Sequence, residues 1–271
     1  MLMTPIMRPI LQPIMVPVDY EYGDAFNPMS LFAGGKKGYW HDFMDRSTLF
    51  QDTSGTTPAL AIGDPVALVL DKSGNGNHLV QNTATKRPLV HADGLYSDGI
   101  DDCYATVGAV TAEGQSVLFL YGGEWTSTGQ SNFIVESSPL SNSTTGTFYL
   151  VKNSTSTGKN ATRVSGTSSA VSEWLPAESP SKTVVGLRGR TTSGNALNQC
   201  WKNGEVLGTL TSSLGATADF SNQVHYIGAR NQAQYFYKGT MTSLICVYKE
   251  CTDTEVKAMS RYINNRMGGV Y

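Results

Sequence analysis

The feature that most constrains this chain is a succession of short apolar runs, each closed off by glycine, asparagine, serine or threonine. They fall at residues 66–70, 116–121, 132–136, 147–151, 183–187, 199–202, 223–227 and 242–248. Runs of that length, alternating or continuously apolar, suit the strands of a sandwich and are too short for core helices. The composition agrees, because 28 glycines and only 15% charged residues leave too little Glu, Lys and Ala for the exposed faces of a helical bundle. A net charge of −2 without a basic run lacks the clustered cations that phosphate backbones require, so no nucleic-acid partner is expected. Asn203-Gly204, between two short runs, is the strongest hairpin signal in the chain. A single helix is expected at the end. Thr252 and Glu255 have capping-box spacing, Val256, Met259, Ile263 and Met267 recur at helical intervals, and Gly268-Gly269 stops the pattern.

The start of the chain obeys different rules. Pro5, Pro9, Pro13 and Pro17 recur every four residues, which removes backbone donors and excludes a helix. No apolar stretch there runs far enough between prolines for a secretory signal or a membrane span. An extended, polyproline-like arm remains. It carries Ile6, Met7, Ile10, Leu11, Ile14 and Met15 with no core of their own, and these are the expected assembly contacts with another chain. A loose tail, or an arm folded back over its own domain, is the alternative. The expected division is residues 1–29 as arm and linker and 30–271 as one β-sandwich domain. Residues 20–65 read as loops with one short helix or turn near 47–50, and the Ser/Thr/Gly/Asn-rich stretch 137–172 as exposed loops and short edge strands.

Several motifs then occur in order. Asp71-Lys72-Ser73-Gly74-Asn75-Gly76-Asn77-His78, Arg87-Pro88 and Ser97-Asp98-Gly99-Ile100-Asp101-Asp102 resemble a run found in concanavalin A-like (laminin G-like) sandwich domains. Residues 224–230, Phe236-Tyr237-Lys238-Gly239, 244–248 and 252–255 are similar to the ending of that family. The resemblance covers roughly residues 60–267 and implies a jelly-roll sandwich of two antiparallel sheets with one short C-terminal helix. Upstream, Leu31-Phe32-Ala33-Gly34-Gly35, Gly38-Tyr39-Trp40, Ser47-Thr48-Leu49-Phe50-Gln51-Asp52 and Gly55-Thr56-Thr57-Pro58, leading into Gly63-Asp64-Pro65-Val66, resemble a segment that precedes the sandwich in phage virion proteins. The proline-repeat start is also similar to that of some phage tail-fibre and other virion proteins. This second resemblance implies a place in a bacteriophage particle.

Candidate chemistry is sparse. A glycosidase on such a fold places two or three carboxylates alternately on one strand, and retaining chemistry needs its pair about 5 Å apart, as alternate residues of one strand provide. The only alternating acids, Asp19 and Glu21, followed by Asp24, precede the core strands, so no catalytic residue is expected. Asp71, Ser73, Asn75 and Asn77 alternate as in a calcium loop, but position twelve is Asn82 and not the bidentate Glu. A plain turn is the preferred reading. Asp98, Asp101 and Asp102 are read as caps for local amides in preference to ion ligands. His41, His78, His91 and His225 show no metal or base spacing. Cys103, Cys200, Cys246 and Cys251 read as free, partly buried thiols of a chain folded in a cytoplasm. Tyr121, Trp125, Trp174, Tyr235 and Tyr237 have the flat faces that stack on sugar rings, but sandwich core or a subunit interface is the preferred reading and none is singled out as a sugar contact.

These readings combine into one expectation: a non-catalytic structural component of a bacteriophage particle, tail-associated (fibre, tip or baseplate), attached through its N-terminal arm and contacting host-surface glycan. A capsid decoration protein and a carbohydrate-active enzyme on the same fold are the alternatives. The expected partners are other virion proteins, further copies of this chain in a homo-oligomer, and host-surface polysaccharide. No cofactor or metal and no membrane insertion are expected. The expected location is the virion, with synthesis in the host bacterial cytoplasm.

Overall fold

A computed structural model describes residues 26–126, 130–138, 145–152, 159–176, 181–211 and 214–271, the side chains of 159 and 169–176 excepted. The arm residues Ile6, Met7, Ile10, Leu11, Ile14 and Met15, and the acids Asp19, Glu21 and Asp24, lie outside the described residues.

The chain forms β1 (Gly38–Asp42), β2 (Leu49–Phe50), β3 (Leu68–Val69), β4 (Leu79–Val80), β5 (Leu89–His91) and β6 (Gly94–Asp98). There follow β7 (Tyr104–Thr106), β8 (Ser116–Trp125), β9 (Asn132–Glu136), β10 (Thr147–Lys152), β11 (Lys159–Ser165) and β12 (Ser169–Pro176). The last strands are β13 (Lys182–Arg190), β14 (Leu197–Lys202), β15 (Glu205–Leu210), β16 (Tyr226–Ile227) and β17 (Lys238–Val247), before helix α1 (Asp253–Arg266). Among the described residues the strands pair antiparallel and build two sheets. An eight-stranded sheet runs β15-β14-β13-β8-β17-β6-β5 with β1 also on β17, and a nine-stranded sheet runs β12-β11-β10-β9-β16-β7-β4-β3-β2.

Three layers result, because the eight-stranded sheet is covered on both faces. Val117, Phe119 and Tyr121 of β8 join the core between the sheets. Leu118 and Leu120, their alternates, pack beneath α1 with Val256, Met259, Ile263 and Met267. A strand buried on both faces needs apolar residues at every position, which is why this run is continuous in the sequence. Each helix residue buried there contributes about 1.5–3 kcal/mol before entropy is subtracted. The helix can lie close because β8 is bare at Gly122, where a Cβ would stand 2.1 Å from Ile263 Cγ2. The expected capping box is present: Thr252 Oγ1 accepts from the Glu255 amide at 3.2 Å, and Glu255 Oε2 accepts from the Thr252 amide at 2.8 Å. The Asn203-Gly204 hairpin also forms, with φ of 51° and 79°, and joins β14 to β15.

Strand β17 holds the eight-stranded sheet together. It pairs with β8 on one side, and on the other with β6 through residues 238–241 and with β1 through residues 243–247, end to end. Cys103, Cys200, Cys246 and Cys251 are buried and form no disulfide, and burial pushes Cys103 and Cys251 up to about 12. His225 lies inside the core, with Nδ1 2.9 Å from Tyr39 Oη and Nε2 3.2 Å from Tyr248 Oη.

Two sequence readings need correction. Residues 38–42, read as loop, are a strand buried at every position. Tyr39 enters the inter-sheet core while Trp40 joins the cluster under the helix. Two-sided burial removes the polar-apolar alternation that would have marked it. The stretch 137–172 is not mainly exposed loop: β10 and β11 carry buried Phe148, Leu150, Val151, Ala161 and Val164. Among the described residues, Thr147, Thr162 and Ser165 sit on these strands and are buried. Only β12 lies at a sheet edge.

Candidate functional site

The nine-stranded sheet turns one face to the core and one outward. Strand register places Phe50, Leu68, Val80, Ala105, Tyr226, Glu136, Tyr149 and Arg163 opposite one another in a continuous row across eight strands. Their strand neighbours Leu49, Val69, Leu79, Tyr104, Ile227, Val135, Leu150 and Val164 fill the inter-sheet core. The row therefore lies on the outer face, because successive side chains alternate between faces.

At one end of this row aromatic and charged groups converge. Phe133, Val151 and Ala161 form a small apolar cluster of their own, with Tyr149 and Tyr235 packed on it. Tyr235 stacks on Phe133 with ring centroids 5.9 Å apart, and Tyr149 is tilted against the same ring at 5.5 Å. The Arg230 guanidinium stands 5.7 Å over Phe133, and its Nε lies 3.4 Å from Glu136 Oε1. Glu136 is fully buried, while the Arg230 side chain stays 18% exposed. Burial pushes the Glu136 carboxyl up to about 7, with Arg230 opposing. Glu136 thus fixes Arg230 from below, and Arg230, Tyr149, Tyr226 and Tyr235 are the groups presented outward.

The loop that supplies Tyr235 is strained. Asn231, Gln232 and Tyr235 have φ of 49°, 53° and 55°, a region that asparagine tolerates and tyrosine rarely adopts. The loop is closed by an exchange between Arg230 and Gln234 and tied to β9 where the Phe133 amide donates to Tyr235 O at 3.1 Å. Strain of this sort persists where the surroundings enforce it, commonly at ligand sites. Beside it lies a cleft of about 560 Å³ lined by Ile100, Gln130, Gln234, Tyr235 and Phe236 among others. Aromatic faces beside amides and a guanidinium are the chemistry that takes up the C–H faces and hydroxyls of a sugar.

The candidates read from the sequence divide clearly against this site. Tyr235 belongs to it. Tyr121, Trp125 and Tyr237 are fully buried in the core, with the Tyr121 and Tyr237 hydroxyls bonded to one another. The side chain of Trp174 lies outside the described residues. Asp71 acts as the hub of a turn: its carboxylate accepts from the amides of Trp40, Ser73 and Asn77 at 2.8–3.0 Å. Asn75 and Asn77 reach away from it, to Gly38 O. Asp98 and Asp102 cap the amides of Ile100 and Asp98, although one oxygen each from Asp98, Asp101 and Asp102 also falls within 4.8 Å of the others. Glu136, Arg230, Tyr149, Tyr226 and Arg163 were not singled out from the sequence. The available signal was a carboxylate closing the apolar run at 132–136.

No protein-family model and no curated protein matches this chain. Solved structures do. Trypanosoma rangeli sialidase, in complex with the inhibitor DANA, aligns at 11% identity and TM-score 0.53 over 84% of this chain and 33% of that one. A second structure of that sialidase, a covalent intermediate with 2,3-difluorosialic acid, aligns at 13% identity and TM-score 0.54 over 79% and 33%. This chain therefore spans about a third of the sialidase. The CBM40 module of Ruminococcus gnavus IT-sialidase, solved bound to α2,3 sialyllactose, aligns at 12% identity and TM-score 0.43 over 58% of this chain and 97% of the module. At such identities the likeness is one of fold: an all-β arrangement of two antiparallel sheets.

Proposed function

We propose that this chain is a non-catalytic, glycan-binding sandwich of concanavalin A-like type, carried on a bacteriophage particle, with its ligand on the outer face of the nine-stranded sheet. The observation that carries the glycan reading is the Phe133–Tyr149–Tyr235 cluster, with Arg230 set over it by buried Glu136. The row holds one carboxylate, itself buried, which fits binding better than the paired-carboxylate chemistry of a glycosidase. Binding to an array of defined oligosaccharides tests the glycan reading. Removal of one stacking ring in Tyr235→Ala should weaken the best interaction roughly three- to tenfold, with circular dichroism unchanged. An array without hits, or hits indifferent to Tyr235, would remove the site.

The phage assignment rests on residues 31–66 and the proline repeat. Its expected attachment is the arm bearing Ile6, Met7, Ile10, Leu11, Ile14 and Met15, to a tail structure in preference to the capsid shell. Prolines fix φ before docking and so reduce the entropy lost on assembly. Deleting residues 2–18 should leave a folded, glycan-binding protein that fails to enter particles, as read by mass spectrometry of purified virions. Normal incorporation of the truncated protein would show that the arm is not the anchor.

A further inference from the structure

We propose that the outer face of the nine-stranded sheet holds a linear oligosaccharide lying across the strands, its far end seated in a second subsite on β2, β3 and β4. This deepens the glycan reading above and rests on it.

The second subsite is a cleft of about 620 Å³ whose lining includes Phe50, Leu68, Val80, Val107, His78 and Asn82. It does not adjoin the Tyr235 loop. The register row joins the two: Phe50, Leu68 and Val80 continue through Ala105 to Tyr226, Glu136 and Tyr149. At the usual strand spacing the row from Phe50 to Arg163 covers about 34 Å, a length that takes several sugar rings. A ligand confined to one terminal sugar would use only one end.

The chemistry along the row changes in a way that suits a sugar chain. Each end pairs an aromatic ring with polar groups. At the far end the ring is Phe50, partly exposed, and the polar partners are His78 and Asn82. His78 Nδ1 accepts the Asp71 amide at 2.9 Å. A neutral ring held that way carries its proton on Nε2, so a donor of fixed tautomer remains for the cleft. The middle of the row, Val80 and Ala105, is small, aliphatic and partly exposed, with no donor or acceptor to satisfy. Such a floor accommodates the C–H faces of rings that pass over it, while hydroxyls and ring oxygens stay in water. Val107 is 60% exposed at the cleft, an apolar wall without a partner inside this chain's core.

Linear oligosaccharides of the best array hit's repeat, from disaccharide to octasaccharide, provide the test by titration calorimetry. Affinity should rise with length until both ends are engaged. Phe50→Ala and His78→Gln should weaken the octasaccharide roughly three- to tenfold while leaving the disaccharide unaffected. Tyr235→Ala should weaken both. Val107→Glu, at an exposed position where folding is not at issue, should reproduce the Phe50→Ala pattern by placing a carboxylate in the cleft. If affinity is independent of length and Val107→Glu binds the octasaccharide normally, the second subsite is wrong while the Tyr235 site stands. If no length binds, both readings fail together.

Discussion

Glu136 sits among residues that would be more comfortable without its charge, and its pH behaviour follows from that. Burial raises it to about 7 in the folded protein from an ordinary value of 4.5. A carboxyl with a raised folded value contributes stability fully below its unfolded value, and that contribution is lost as pH rises through the folded one. In Glu136→Gln the side chain is neutral throughout, so the variant should match the wild type near pH 4.5 and exceed it at pH 8. The shift corresponds to at most about 3 kcal/mol. Urea unfolding at the two pH values checks it; a variant less stable at pH 8 would mean that Arg230 supports the charge well enough. Glycan affinity should fall in the same variant, because Arg230 loses its counter-ion. Stability and binding would then move in opposite directions. A wild-type pH scan alone would blur this, because burial lowers His225 to about 3 and His41 to about 4. A histidine whose folded value is depressed loses stability as pH falls from 6.5, which opposes the Glu136 trend over the same interval.

Among the elements, α1 was the most legible and β1 the least, for one reason. A helix on a sheet surface shows its period because one side stays wet: Val256, Met259 and Ile263 are buried while Arg261 is exposed. A short strand buried on both faces shows none, and β1, with a buried His41 and Asp42, passes for loop. Asp42 is tolerable there because Arg266 of the helix reaches it at 3.0 Å. The helix should be a structural layer and not an appendage. Ile263→Asp would bring an unpaired charge against Gly122 and should cost several kcal/mol. Thr252→Ala removes a cap and should cost about 1 kcal/mol. Thermal melts that leave both variants unchanged would show that the helix does not support the sheet.

At the scale of the whole molecule, the layered all-β arrangement was visible in the sequence because strand length, turn chemistry and the capped helix are local properties. The binding face was not. Its row draws one residue from each of eight strands, between positions 50 and 226, and only register brings them into line. No spacing rule along the chain relates Phe50 to Glu136 or Glu136 to Arg230. The same long-range pairing bears on how the protein is made. Strand β17, on which β1, β6 and β8 all lie, begins at Lys238. The sixteen described strands before it in the sequence are synthesised first, and until it follows β1 and β6 have no common neighbour to join. The eight-stranded sheet can therefore join β1 and β6 to β8 only once residues 238–247 have been made, so its closure is a long-range step that follows the pairing of β8 with β13.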